Sequence, residues 1–274
     1  MIPKKIHYCW FGPRPKGEVE LKCIESWKKI LPDYEIREWT DADLAGLDNR
    51  YLKQAVEAKK WAFVSDYVRL HALLNEGGVY FDTDEEIVKP LDEFMNFDFF
   101  IGSQKCGSCR DISPALIGTV PNSPIVKDLI SVYDDIDFIR PDGSFNLTTN
   151  PMYFTRVLKE KYGVADTFVT KDRVKITENA YIYPYYYFCT DNPEAYAIHH
   201  YTGSWKPDWN VRDKLSVSLG KNKKLILRKY KKNRDGSEMP FAENEKVLCS
   251  LKTSRRSTLF LLIKDKVASV PSKS

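Results

Sequence analysis

In the stretch Gly77-Gly78-Val79-Tyr80-Phe81-Asp82-Thr83-Asp84-Glu85-Glu86, an apolar run of strand length ends abruptly in acidic residues. Val79, Tyr80 and Phe81 read as a buried strand, with the two glycines before them closing a preceding helix. Residues two apart on a strand share a face. Asp82 and Asp84 are therefore expected side by side at the strand's end, with Thr83 turned away. Two carboxylates so placed repel each other unless a positive group sits between them. Oxygen ligands on a rigid strand end suit Mg²⁺ or Mn²⁺, which keep coordination positions open for phosphates. A calcium loop is excluded: the sixth position counted from Asp82 is Ile87 rather than glycine, and Lys89-Pro90 does not supply the closing glutamate. An acidic turn facing solvent is the plain alternative.

The remaining chain alternates between strand and helix signals, which places it in the α/β class. Lys5 to Gly12 is strand-like, Leu21 to Ile30 has helical spacing before Pro32, and Tyr34 to Trp39 alternates as a half-buried strand. Tyr51 to Leu74 reads as one largely helical stretch. Strand-like runs follow at 97–103, 115–120 and 181–188, with helical stretches near 123–133 and 152–162. A chain of 274 residues with 43% hydrophobic content can bury one substantial core. The six cysteines form no metal-ligand framework, and Cys106 and Cys109 read as structural or incidental thiols.

Two further clusters carry chemistry. Asp66 and Arg69, three apart on a helix, share a face. They are either a surface ion pair or a carboxylate for sugar hydroxyls beside a guanidinium for phosphate. In Ala197 to Pro207, His200, Gly203 and Lys206 fall at steps of three. An imidazole can complete a Mn²⁺ shell, a glycine lets backbone N–H groups approach phosphate, and a lysine adds a compact positive charge.

Ile2 to Gly12, Ser65-Asp66-Tyr67-Val68-Arg69, Gly77 to Asp84 and His200 to Trp205 together resemble, in this order, glycosyltransferase family 32, the enzymes with an Asp-x-Asp sugar-binding region. The run from His200 to Lys206 is similar to the metal and diphosphate element of family 8. The resemblance covers roughly residues 1 to 210. It implies a GT-A fold, a Rossmann-like nucleotide-sugar-binding α/β/α domain with a mixed central sheet, and Mn²⁺-dependent (or Mg²⁺-dependent) transfer from a nucleotide-sugar with retention of configuration. It also implies roles: Trp10 stacking on the base, Asp66 and Arg69 on the donor sugar, and Thr83 beside the donor. Asp82, Asp84 and His200 would surround the metal, with Gly203, Ser204, Trp205 and Lys206 closing on the diphosphate. The bacterial polysaccharide members suggest a UDP-hexose donor, UDP-galactose or UDP-glucose, and a role in capsule or other surface-glycan synthesis. The segment 101–118 and the loop 140–155, with Asn146, Thr149 and Asn150, are expected to read the sugar. A metal-dependent phosphohydrolase or nucleotidyltransferase would use the same carboxylates, but no GxxxxGK[ST] loop or dense two-metal cluster accompanies them. A non-catalytic sugar-binding protein is the other alternative.

Charge divides the chain. From Lys221 onward there are fifteen basic and five acidic residues, against 27 and 33 before it. Residues 1–219 are expected to form the catalytic domain and 220–274 a basic, amphipathic, helical extension. Lys221 to Arg234 carries eight basic groups interleaved with Leu225, Ile226, Leu227 and Tyr230, a mixture suited to an anionic membrane surface and a lipid-linked saccharide acceptor. Nucleic acid is not an expected partner, since the acidic body would repel it. With no secretory or membrane-spanning run, the expected location is cytoplasmic, peripheral on the inner face of the membrane.

Overall fold

The computed structural model describes residues 1–106, 109–165 and 171–202, and beyond them the backbone of six strands. The chain divides into two compact units, Met1–Asp208 and Trp209–Ser274. The first runs β1 (Lys5–Cys9), α1 (Glu18–Ile30), β2 (Glu35–Trp39), α2 (Arg50–Glu57), α3 (Trp61–Glu76), β3 (Gly78–Phe81), β4 (Glu85–Ile87), β5 (Phe99–Cys106) and β6 (Cys109–Thr119). It continues with α4 (Pro124–Ser131), α5 (Asn150–Tyr162), β7 (Val174–Thr177), β8 (Ala180–Tyr183), α6 (Tyr185–Phe188) and β9 (Ala197–His199).

Seven strands form one mixed sheet in the order β2-β1-β3-β6-β5-β8-β7. β1 is parallel to both β2 and β3, and β8 is parallel to β5, while β6 and β7 run antiparallel to their neighbours. This is the α/β architecture, with a mixed central sheet, expected of a GT-A domain. Alternation along the strands builds a core on each face. Tyr80, Phe99, Ile101 and Ile117 pack with α2, α3 and α5 on one side. Val79, Phe81, Phe100 and Leu116 pack with Cys23, Ile24 and Trp27 of α1 on the other.

Three elements differ from the sequence reading. The long helix splits at residues 58–60, where Lys59 takes a positive φ of 53° and interrupts the helical ladder. The strand 181–188 stops at Tyr183, because Pro184 has no N–H for a ladder and instead opens the helical turn α6. Strand β6 begins at Cys109, opposite Cys106, well before the expected residue 115. The glycine turn behaves as expected: Gly77 and Gly78 have φ of 64° and 93°, and a Cβ on Gly78 would lie 2.5 Å from the Lys5 carbonyl oxygen.

The second unit corrects the helical extension. Its described residues form strands: β10 (Lys214–Leu219), β11 (Lys224–Lys232), β12 (Glu238–Pro240), β13 (Lys246–Ser250), β14 (Leu259–Ile263) and β15 (Lys266–Val270). β11 pairs antiparallel with β10, β12 and β13, and β14 pairs with β15. Its apolar runs, Leu225-Ile226-Leu227, Val247-Leu248-Cys249 and Leu259-Phe260-Leu261-Leu262-Ile263, are three to five residues long, a strand length rather than a helical one. Among the described residues no helix is long and apolar enough to cross a membrane.

His7, in the middle of β1, is fully buried. Its Nδ1 accepts from Trp39 Nε1 at 3.2 Å and its Nε2 faces the Gly77 carbonyl at 3.0 Å, so the neutral ring satisfies both neighbours. Burial pushes its pKa down to about 4. As pH falls from about 6.5, the unfolded chain takes up a proton that the folded chain refuses until about pH 4. Stability is therefore expected to drop by about 2 to 3 kcal/mol between pH 7 and 4.5, and His7→Gln should flatten this part of the profile. Urea titrations at the two pH values check it; an identical pH slope in wild type and variant would contradict it.

Candidate active site

The acidic motif sits at the C-terminal ends of β1 and β3, which run parallel side by side within the sheet. Extending their parallel register from His7 opposite Tyr80 sets Trp10 level with Thr83. Trp10 is half-buried, its indole N–H donating to the Arg14 carbonyl at 2.7 Å and Lys16 Nζ lying 5.7 Å from its ring centre.

A break in the β5–β6 pairing builds the floor. The register jumps from Ile101 opposite Ile117 to Gly102 opposite Ser113, so Pro114, Ala115 and Leu116 bulge from β5. The freed Ala115 carbonyl accepts the Asp82 N–H at 2.8 Å, and the Pro114 carbonyl accepts Arg69 Nη1 at 2.9 Å. Arg69, on α3, is 5% exposed and lies at the centre of the site. Its Nη2 is 3.2 Å from Asp66 Oδ1 and 3.2 Å from Asp82 Oδ1, its Nε donates to the Ser65 carbonyl, and its guanidinium covers the Tyr80 ring at 4.5 Å. The positive group that the paired carboxylates demand is thus partly supplied by the chain itself. With these bonds made, at most one of the five guanidinium N–H groups is free for a ligand. Asp66 also accepts from Asn150 Nδ2 at 3.1 Å, and Asn150 in turn accepts from the Tyr133 hydroxyl. Burial raises Asp66 to about 6 against the pull of Arg69, and likewise raises Asp82.

Asp82 and Asp84 converge by a turn rather than by strand pleating. The chain folds back at Thr83 and Asp84, and the Glu85 N–H donates to the Asp82 carbonyl at 3.0 Å. β4 then pairs antiparallel with β9, Glu85 opposite His199. This short ladder delivers His199 to the carboxylates, with Nε2 3.3 Å from Asp84 Oδ1; the two side chains are 12% and 13% exposed. Asp84 Oδ2 accepts from the Thr202 N–H at 2.8 Å and hydroxyl at 3.0 Å. Although burial opposes its charge, the bonds from His199 and Thr202 hold Asp84 down at about 2. Burial also opposes a charged His199, but Glu85, Asp84 and Asp82 outweigh it and lift the imidazole to about 9.

The structure corrects one expected ligand. His200 points to the opposite side of β9, where its Nε2 meets Glu86 Oε2 at 2.8 Å, and the imidazole beside the aspartates is His199. Neighbouring strand residues face opposite ways, so the choice between the two histidines hangs on the parity of the β4–β9 register. Asp82, Asp84 and His199 each offer a ligand atom, all within 4.8 Å of one another. Two carboxylates and an imidazole so close fit one divalent cation. Gly203, Ser204, Trp205 and Lys206 lie outside the described residues.

Residues 17–100, which span Asp66, Arg69 and both aspartates of the motif, match the family described as glycosyltransferase sugar-binding region containing DXD motif. That match marks the chain as a glycosyltransferase, with the family's sugar-binding region at residues 17–100. It is 24% identical to an uncharacterized glycosyltransferase of Acanthamoeba polyphaga mimivirus, over 83% of this chain and 91% of the relative. It is 28% identical to the mannosyl phosphorylinositol ceramide synthase of Saccharomyces cerevisiae, over 58% of this chain and 42% of the relative. Among solved structures the glycosyltransferase is similar to PaToxG Glycosyltransferase, with a TM-score of 0.44, 23% identity and coverage of 59% of this chain and 70% of that one. A glycosyltransferase involved in the glycosylation of the major capsid of PBCV-1 gives a TM-score of 0.40 at 14% identity, covering 73% of this chain and 94% of that one.

Proposed function

We propose that this glycosyltransferase transfers a hexose from a UDP-sugar, UDP-galactose or UDP-glucose, to a saccharide acceptor, with a divalent cation held by Asp82, Asp84 and His199. The convergence of these three side chains within 4.8 Å carries the reading. An imidazole beside two carboxylates favours Mn²⁺ over Mg²⁺, which prefers oxygen alone. Such a cation supplies the Lewis acidity that stabilises a departing nucleoside diphosphate.

The chain's own residues divide the remaining work. Trp10, level with Thr83 beyond the C-terminal ends of β1 and β3, offers a ring face to the base. Arg69 fixes the spacing of Asp66 and Asp82 from within, which leaves Asp66 as the group aimed at sugar hydroxyls. Asp66 is held by Arg69 and Asn150, Asp82 by Arg69 and Tyr80, and Asp84 by His199 and Thr202. Each carboxylate already has partners within the chain, and this reading assigns none of the three as a nucleophile. That supports attack by the acceptor on the face the diphosphate leaves, with retention of configuration. The test is to incubate the full chain with UDP-glucose, UDP-galactose and GDP-mannose in Mn²⁺, Mg²⁺ or EDTA. Diphosphate release and product configuration are followed by NMR. Mn²⁺-dependent release from a UDP-hexose with retention is expected; turnover in EDTA, or an inverted product, contradicts the proposal.

A lipid-linked acceptor at the inner face of the membrane, within capsule or surface-glycan synthesis, completes the proposal. Two observations support it: the eight basic residues between Lys221 and Arg234, and a yeast relative named mannosyl phosphorylinositol ceramide synthase. Sedimentation with liposomes should show salt-sensitive binding that grows with anionic lipid and disappears on truncation after Leu219. Binding unchanged by truncation would sink the membrane reading.

A further inference from the structure

Behind the three candidate ligands lies a buried carboxyl that the chemistry above leaves unused. Glu85 is 0% exposed, and neither of its carboxylate oxygens has a hydrogen-bond partner. His199 Nδ1 stands 3.8 Å from Glu85 Oε1 and is likewise buried without a partner. Three buried polar atoms left unsatisfied at one spot are costly and call for a cause.

The backbone gives this juxtaposition little freedom. Glu85 and His199 are direct partners in the β4–β9 ladder, so their side chains leave the same face. β4 is clamped from α1, where Trp27 Nε1 donates to the Glu85 carbonyl at 2.7 Å and Ser26 Oγ accepts the Ile87 N–H at 2.9 Å. On its far side the imidazole meets Asp84 through Nε2 at 3.3 Å. A ring shift of about 1 Å brings Nδ1–H and Oε1 into hydrogen-bond range.

To bind a metal the imidazole must give up one of its two N–H protons, and its two neighbours then compete for the one that remains. If the proton sits on Nε2 it is donated to Asp84, and the ligand atom is blocked. With the proton on Nδ1, the Nε2 lone pair is free. The geometry points to Glu85 as a positioning residue that accepts the Nδ1–H of His199 and so directs the Nε2 lone pair into the space shared with Asp82 and Asp84. A metal-binding histidine is ordinarily oriented by such an outer carboxylate, and losing it weakens the metal about 10- to 100-fold. This role rests on the metal reading proposed above.

The test measures Mn²⁺ affinity of the full chain by the EPR signal of free Mn²⁺, alongside the melting temperature without metal. Glu85→Gln, His199→Gln, the double variant and Asp84→Asn are compared with wild type. Glu85→Gln should weaken Mn²⁺ about tenfold without lowering the metal-free melting temperature, and should add nothing in the His199→Gln background. Unchanged affinity, or an equal loss in both backgrounds, overturns the role. Should Glu85→Gln fail to fold, Glu85→Asp, which withdraws the carboxylate by one methylene, must show the weakened affinity instead. Asp84→Asn separates the two readings. If it binds Mn²⁺ normally, the metal site itself falls; if it loses Mn²⁺ while Glu85→Gln does not, only the role of Glu85 falls.

Discussion

Asp84→Asn is expected to cut sugar transfer by at least about 100-fold while leaving the metal-free fold intact. The amide keeps one oxygen that can accept from the Thr202 N–H and hydroxyl, so the segment after β9 retains its anchor to the motif. What it loses is the negative charge facing His199 and the ability to ligate a hard cation. The loss should fall on kcat and on Mn²⁺ affinity together, with an unchanged circular dichroism spectrum. Activity within a few fold of wild type would remove the metal from the account.

Arg69→Met is expected to cost about 3 to 5 kcal/mol of stability, the penalty for leaving buried carboxylates without their cation. Asp66 and Asp82 both lean on Nη2, and the Pro114 carbonyl at the bulge loses its donor as well. Arg69→Lys keeps the charge but cannot serve Asp66, Asp82, Ser65 and Pro114 at once, because the three N–H groups of a lysine all radiate from one nitrogen. It should fold less stably than wild type and transfer sugar poorly. Urea unfolding measures both variants. A surface ion pair would tolerate the lysine within about 0.5 kcal/mol, and that result would contradict a buried organising role.

The parts of this architecture visible in the sequence were those set by local pattern. The Gly77-Gly78 turn, the apolar Val79-Tyr80-Phe81, the strand-like run from Lys5 and the alternating run from Tyr34 to Trp39 each follow from a few neighbouring residues. The i,i+3 spacing correctly put Asp66 and Arg69 together. It could not show that the pair is buried, because that depends on the bulge at Pro114, seen only when β5 and β6 are paired. The identity of the histidine was hidden for a similar reason. Sequence spacing offered His200 through its fit with Gly203 and Lys206, whereas the three-residue β4–β9 ladder turns His199 inward. Glu85 read as one more acidic residue after the motif, since nothing local marks a glutamate as buried. The strands of Trp209–Ser274 were missed because basic residues interleaved with leucines suit either an amphipathic helix or a strand.

The assignment of His199 rather than His200 is where the account is most exposed. Mn²⁺ titrations of His199→Gln and His200→Gln, read by EPR under identical conditions, measure it directly. A cation held by Asp82, Asp84 and His199 predicts at least about tenfold weaker binding in His199→Gln and wild-type binding in His200→Gln. Loss of Mn²⁺ in His200→Gln with full binding in His199→Gln would contradict it.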